Sequence, residues 1–188
     1  VKDYNSYLRN PAADRRNKPL AWYDLGYARF ALKEFAGAGA DFRKFIDNSA
    51  GGTDRRLLAD AYNRLADSQY YTSDFAGAAE NYGLALEADP ASGDYPMFQQ
   101  GLMKGLRRDY AGKIETLSAM TSRFPASALV PSALLEIAES YGESGAADRA
   151  IETYTALVGR YPSTAQGRQG QLLLAITYLN EGNRRQAM

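Results

Sequence analysis

Ala21-Trp22-Tyr23-Asp24-Leu25-Gly26-Tyr27-Ala28 returns 40 residues later as Ala61-Tyr62-Asn63-Arg64-Leu65-Ala66-Asp67-Ser68. The adjoining stretch keeps the same offset: Glu34-Phe35-Ala36-Gly37-Ala38 leads to Asp41-Phe42-Arg43, as Asp74-Phe75-Ala76-Gly77-Ala78 leads to Asn81-Tyr82-Gly83. A period of this length marks stacked supersecondary units, none of which can bury its apolar face alone. Weaker copies extend in both directions. Asp109-Tyr110-Ala111-Gly112-Lys113 follows the Asp74 stretch after 35 residues, and Phe124-Pro125 recurs 37 residues later as Tyr161-Pro162. Ile137-Ala138-Glu139-Ser140-Tyr141, with Gly145, Ala150 and Tyr154, is another copy, and Leu174-Ala175-Ile176-Thr177-Tyr178, with Gly182 and Ala187, opens a last one. Asp3-Tyr4-Asn5-Ser6-Tyr7-Leu8-Arg9-Asn10 echoes Asp41 to Asn48, so both ends of the sequence are expected to fall inside a repeat.

Each unit carries two stretches with apolar residues at three- and four-residue spacing, which predicts paired amphipathic helices of about 12 to 15 residues. Gly26, Ala66, Gly101, Ala138 and Ala175 share one position, and Ala38, Ala78 and Ala150 share another. Small side chains there let the two helices of a pair approach closely. Trp22, Leu25, Phe42, Tyr62, Tyr82 and Tyr154 are expected to fill the space between pairs. Pro90, Pro125 and Pro162 sit where a second helix should stop, because proline lacks the amide and disfavours helical geometry in the residue before it. The longer 40-residue offset implies extra residues in the loop from Asn48 to Asp54, and Asp54 is a candidate cap for the next helix.

Composition narrows the chemistry. With 0 Cys and 0 His among 188 residues, the chain lacks disulfides, thiolate nucleophiles, Ser-His or Cys-His pairs and the usual zinc ligands. Twenty-two basic and 22 acidic residues cancel, so no net field gathers nucleic acid or an anionic membrane. No apolar run approaches the roughly 20 residues of a membrane-spanning helix. Neither a cofactor nor direct membrane insertion is therefore expected.

The pattern W-x2-L-G-x2-Y, then A-x3-F, then P resembles the tetratricopeptide repeat. The first full unit supplies Trp22, Leu25, Gly26, Ala38 and Phe42, with Arg29 in place of the tyrosine. The second supplies Tyr62, Leu65, Ala66, Ala78, Tyr82 and Pro90, with Gln69 departing. Another has Leu134, Ile137, Ala138, Tyr141, Ala150, Tyr154 and Pro162. The intervening unit, with Met97, Gln100, Gly101, Lys104, Lys113, Leu117 and Pro125, is degenerate. The resemblance divides the chain into the end of a truncated repeat at 1–12, repeats at 19–52 and 59–92, the degenerate repeat at 94–127, a repeat at 131–164 and a truncated one at 168–188. It implies an all-α, right-handed superhelical solenoid of antiparallel helix pairs, and a non-catalytic scaffold for protein–protein interaction. The junctions Phe124-Pro125-Ala126-Ser127 and Tyr161-Pro162-Ser163-Thr164 resemble those of bacterial cell-envelope members of this type, the Tol-Pal coordinators and outer-membrane assembly lipoproteins, which points to the periplasm.

Other motifs weigh less. Gly37-Ala38-Gly39 lacks the strand and spacing of a phosphate loop. Arg15-Arg16, Arg55-Arg56, Arg107-Arg108 and Arg184-Arg185 are interleaved with acids and read as solvated faces. The aromatic content, 14 Tyr, 7 Phe and 1 Trp, exceeds what repeat packing requires. In the architecture that the resemblance implies, the first helices line a concave face, whose outward positions are Tyr23, Tyr27 and Phe30, then Asn63, Asp67, Tyr70 and Tyr71, then Phe98, Leu102 and Leu106. Leu135, Glu139 and Glu143 come next, then Leu172, Ile176 and Leu179. Tyr23, Tyr27, Phe30, Asn63, Tyr70, Tyr71, Phe98 and Leu102 are the candidate residues for gripping a peptide or partner helix. The opposing reading is that tight coiling packs some of them internally. The lysine, asparagine and arginine clamp by which some relatives hold a terminal carboxylate is not expected, because Tyr23, Tyr27, Asn63 and Phe98 stand there. Two alternatives stay open: a targeting arm of a larger enzyme or transporter, and a self-associating array.

Overall fold

The computed structural model describes residues 2–10, 18–49 and 53–182. Arg15-Arg16, Arg184-Arg185, Ala187 and the loop residues Ala50, Gly51 and Gly52 lie outside them. Among the described residues there are ten α-helices and no strand: α1 Lys2–Arg9, α2 Lys18–Ala31, α3 Phe35–Asp47, α4 Arg55–Tyr71, α5 Phe75–Ala88, α6 Asp94–Leu106, α7 Tyr110–Arg123, α8 Val130–Glu143, α9 Ala147–Arg160 and α10 Ala165–Asn180, with a short 3-10 turn at Pro90–Ser92. They form two compact units, residues 1–96 and 97–188, so that α6 gives its first turn to the first unit and the rest to the second. In the first unit α1 packs on α2, α2 on α3, α3 on α4 and α4 on α5. In the second, α7 packs on α8, α8 on α9 and α9 on α10, and α10 also reaches α8.

The helix ends follow from the sequence. Asp54 caps α4 by accepting from the Arg56 amide at 2.9 Å. Asp74 and Asp109 cap α5 and α7 through the amides of Gly77 and Gly112, and Thr164 caps α10 through Gly167. Pro131 occupies the first turn of α8, where its missing amide costs nothing. Pro90, Pro125 and Pro162 each lie just past a helix end. Between the helices of every pair one residue turns left-handed: Lys33 (φ 61°), Ser73 (65°), Arg108 (58°) and Gly145 (78°), with Gly182 (76°) after α10. At the first, the Glu34 amide reaches back to the Arg29 carbonyl and the Lys33 amide to Phe30, a Schellman closure that satisfies the last carbonyls of α2. The same two bonds recur at Ser73, Arg108 and Gly145.

The pairs close on their small residues. Ala38, Ala66, Ala78, Ala138 and Ala150 are fully buried. A Cβ on Gly26 would come within 2.9 Å of the Phe42 ring, and one on Gly101 within 2.6 Å of Leu117. Phe42, Tyr82 and Tyr154 fill the interior as expected. Leu25 does so too, and Phe45 is buried beside them, whereas Trp22 and Tyr62 are half-buried, Trp22 with the Lys44 ammonium 4.0 Å above its ring. Gly37 and Gly39 lie within α3, and Gly39 packs against Ser68 and Leu65. No helix among the described residues is long and apolar enough to cross a membrane.

Candidate functional site

In the first unit the inward row of α4 is polar: Asp60, Asn63, Arg64 and Asp67 lie at helical spacing. Tyr23 and Tyr27 of α2 both donate their hydroxyls to Asp60 Oδ2, at 2.6 and 2.5 Å. Tyr82 of α5 and Tyr95 of α6 both donate to Asp67 Oδ1, at 2.6 and 2.7 Å. Arg64 links the two carboxylates, 2.7 Å from Asp67 Oδ2 and 3.9 Å from Asp60 Oδ1, with its guanidinium over the Tyr95 ring. An ionised carboxylate only accepts, so each phenol must stay protonated to keep its bond. Burial first, and then the facing carboxylate, pushes Tyr27 up to about 12 and drives Tyr23, Tyr82 and Tyr95 upward in the same sense.

This row corrects part of the expected open face. Asn63 and Asp67 are buried, 9% and 5% exposed, Asp67 under the hydroxyls of Tyr82 and Tyr95, while Tyr23 and Tyr27 meet the same row at Asp60. Asn63 Oδ1 is left without a hydrogen-bond partner. Leu135 is also buried, packed with Ala138, Ala150, Tyr154 and Leu157. These three positions are internal, Leu135 through packing on α9 of its own pair.

The other aromatic candidates of the first unit form a continuous surface. Phe30 meets Phe35 edge-on, Phe35 stacks on Tyr71 at 4.2 Å and 13°, Tyr71 meets Tyr70, and Tyr70 meets Phe75. Tyr71 is 57% exposed, Phe75 43% and Tyr70 39%, and Leu32 in the adjoining turn is 60% exposed. Phe35 and Phe75 open the second helices of their pairs, and their recurrence after Glu34 and Asp74 was a signal in the sequence that concave-face reasoning passed over. Tyr27 is exposed, and Tyr23 is half-buried against Phe42 and Phe45.

In the second unit Phe98 and Leu102 are half-buried and Leu106 is exposed. Glu136, Glu139 and Glu143 run along α8. Lys113, standing where the other repeats have Ala38, Ala78 and Ala150, sends its ammonium 2.5 Å from Glu136 Oε2. Gly105 makes room for it: a Cβ there would meet the lysine stem at 2.9 Å. No group of three or more carboxylates among the described residues is placed to hold a metal ion.

The family model described as "Tetratricopeptide repeat" matches residues 132–164. That segment is a tetratricopeptide repeat. No curated protein sequence matches the chain. Among solved structures, MamA 41-end from Desulfovibrio magneticus RS-1 superposes with a TM-score of 0.74 at 12% identity, over 91% of this chain and 89% of the other. BtubC from P. vanneervenii gives 0.75 at 16%, over 99% and 82%. YrrB, described as a TPR protein with an unusual peptide-binding site, gives 0.69 at 14%, over 98% and 87%. These likenesses establish the fold: the described residues form helices and no strand, built as tetratricopeptide solenoids are.

Against that repeat, the substituted tyrosine position acquires a meaning. Arg29 Nη1 donates to Asp41 Oδ2 at 2.8 Å, Asn81 Nδ2 to Gln69 Oε1 at 2.7 Å, and Lys104 Nζ to Thr116 Oγ1 at 2.8 Å. In each of these three repeats the polar replacement bonds the residue twelve positions later, on the second helix of its own pair. Asp41 is fully buried, and burial outweighs Arg29 and Lys44 to hold its carboxyl above the ordinary value.

Proposed function

We propose that this chain is a non-catalytic protein-interaction scaffold that grips a peptide or partner helix, and that the exposed aromatic surface of its first unit supplies the anchors. One observation carries the reading: Tyr70, Tyr71 and Phe75, with Phe30 and Phe35 behind them, form a connected set of rings left open to solvent. Tyrosine and phenylalanine offer large contact area with little side-chain entropy to lose, which is why they dominate interface energetics. The repeat at 132–164 and the likeness to tetratricopeptide structures support a protein-binding role. The balanced charge argues against nucleic acid as the ligand. We place the scaffold in a bacterial envelope assembly on the resemblance of the Phe-Pro-Ala-Ser and Tyr-Pro-Ser-Thr junctions.

A displayed peptide library selected on the purified chain tests the reading. Selected peptides should bind the wild type about ten-fold or more tightly than a Tyr70→Ser, Tyr71→Ser variant whose melt is unchanged. They should also shift amides of α2 and α4. Equal affinity for the variant would reject the aromatic surface as the anchor.

A further inference from the structure

A cavity of about 500 Å³ opens in the second unit, within the range of roughly 300 to 1,000 Å³ that small-ligand and side-chain pockets occupy. Its wall is mixed: Tyr110, Tyr154 and Leu173 line it together with Lys113, Glu139 and Glu143. Among the described lining residues Lys113 is the cation, and Glu136 already holds its ammonium at 2.5 Å. Glu143 receives a long bond, 3.4 Å, from the Tyr110 hydroxyl. Glu139 makes no hydrogen bond or ion pair among the described residues. Burial, then Glu136, with Glu143 adding and Lys113 opposing, holds its carboxyl above the ordinary value. An anion in that position gains more from an arriving cation than a fully solvated one does, since it is half-buried and its neighbours repel it.

We infer that this cavity takes the basic side chain of a partner segment, arginine or lysine, with its aliphatic stem along Leu173 and Tyr154 and its charged head between Glu139 and Glu143. Three features distinguish it from an acidic patch. It is a concave opening and not a flat face, its aromatic and apolar lining suits a hydrocarbon stem ending in a cation, and the Lys113 contact with Glu136 shows an ammonium seated on the same row of carboxylates. The inference rests on the reading of the chain as a peptide-binding scaffold, and it adds the charge of the peptide.

The test is an NMR titration of the intact chain with N-acetyl-arginine amide and N-acetyl-lysine amide. The near-isosteric, uncharged N-acetyl-citrulline amide is the control. A basic probe should shift the amides around Glu139, Glu143 and Tyr154 saturably, and citrulline should bind at least about ten-fold more weakly. Glu139→Gln and Glu143→Gln should each weaken the basic probe several-fold. Glu143 is exposed, so its variant also reports if the Glu139 change perturbs folding. A citrulline response equal to arginine, or no saturable shift at these amides, overturns the inference. Failure of the basic probes with peptides still selected on the aromatic surface would defeat this inference alone. Probe binding intact with no peptide selected would defeat the scaffold reading alone.

Discussion

Replacing Asp67 separates a buried structural lattice from an open binding face. Its carboxylate is 5% exposed, accepts from Tyr82 and Tyr95 on one oxygen, and meets Arg64 on the other. Asp67→Ala strands the Tyr82 hydroxyl, whose side chain is 1% exposed, and removes one of the two carboxylates of Arg64. Breaking a buried pair from one side costs about 3 to 5 kcal/mol. Arg64 keeps Asp60 as a second carboxylate, so the lower end of that range, about 3 kcal/mol, is expected. At about 2 to 4 °C per kcal/mol for a chain of this size, the melting midpoint should fall by roughly 6 to 12 °C. Asp67→Asn can still accept from both phenols through Oδ1 but sets its amide donor against the Arg64 donor in place of Oδ2, so its loss should be smaller than that of alanine only by the phenol bonds it keeps. Urea titrations read out by far-ultraviolet circular dichroism give the free energies, and calorimetry gives the midpoints. If Asp67→Ala lay within about 1 kcal/mol of wild type, Asp67 would behave as a solvated surface residue and the lattice would be refuted.

The remaining expectations use the same assays. Ala78→Leu or Ala150→Leu should destabilise by roughly 1 to 3 kcal/mol through overpacking at positions with no exposure, and a wild-type denaturation midpoint in both would count against the close helix pairing. Ser73→Gly should be neutral or stabilise by up to about 1 kcal/mol, because it relieves a left-handed residue, whereas Gly145→Ala should cost about 1 to 2 kcal/mol with no clash to blame. A reversal of both signs would contradict the turn assignment. Stability should fall between about pH 10 and pH 12, since the phenol of Tyr154, held near 12 by burial and by Glu139, keeps its proton in the folded state while the unfolded chain loses it. The sign follows from the raised folded value: the contribution is complete below pH 10 and is lost above it, worth roughly 2 to 3 kcal/mol at this 4% exposed site. Denaturation midpoints at pH 9 and pH 11.5 check it, and Tyr154→Phe should lessen the decline by the share of Tyr154, leaving that of Tyr23, Tyr27, Tyr82 and Tyr95.

The helix pairs were legible because their determinants are local and periodic. Small residues at Gly26, Ala66 and Ala138, prolines past three helix ends, and Asp54 at a helix start each act within a few residues of where they stand. The expected open face was read less well for the opposite reason. Periodicity assigns Asn63, Asp67 and Leu135 to a face, but the burial of Asp67 and Leu135 is set by Tyr82, Tyr95 and Tyr154, which arrive from other helices at distances no repeat pattern encodes. The carboxylate-to-tyrosine lattice had a trace in the sequence, the Asp60, Arg64, Asp67 spacing along one helix, yet nothing in that spacing selects the tyrosines that answer it. Lys113 was visible only as a misfit in an alanine position. Its burial became intelligible once Glu136 and the space over Gly105 were seen together.

The twelve-residue bridges have a consequence for how the chain finds its own fold. A protein made of similar helix pairs runs the risk that the first helix of one copy docks on the second helix of another, the characteristic error of repeat arrays. Here three pairs carry different matched couples: a guanidinium with a carboxylate, two amides, and an ammonium with a hydroxyl. Exchanging partners would set Arg29 against Asn81 or Thr116, or leave Asp41 facing Gln69 with only Lys44, 3.7 Å away on its own helix, as counterion. Mispaired helices are thus penalised by unpaired polar groups, while the apolar contacts that every repeat shares would accept the exchange. The departures from the consensus tyrosine label three similar but unequal pairs with different couples, and most exchanges between them would break one.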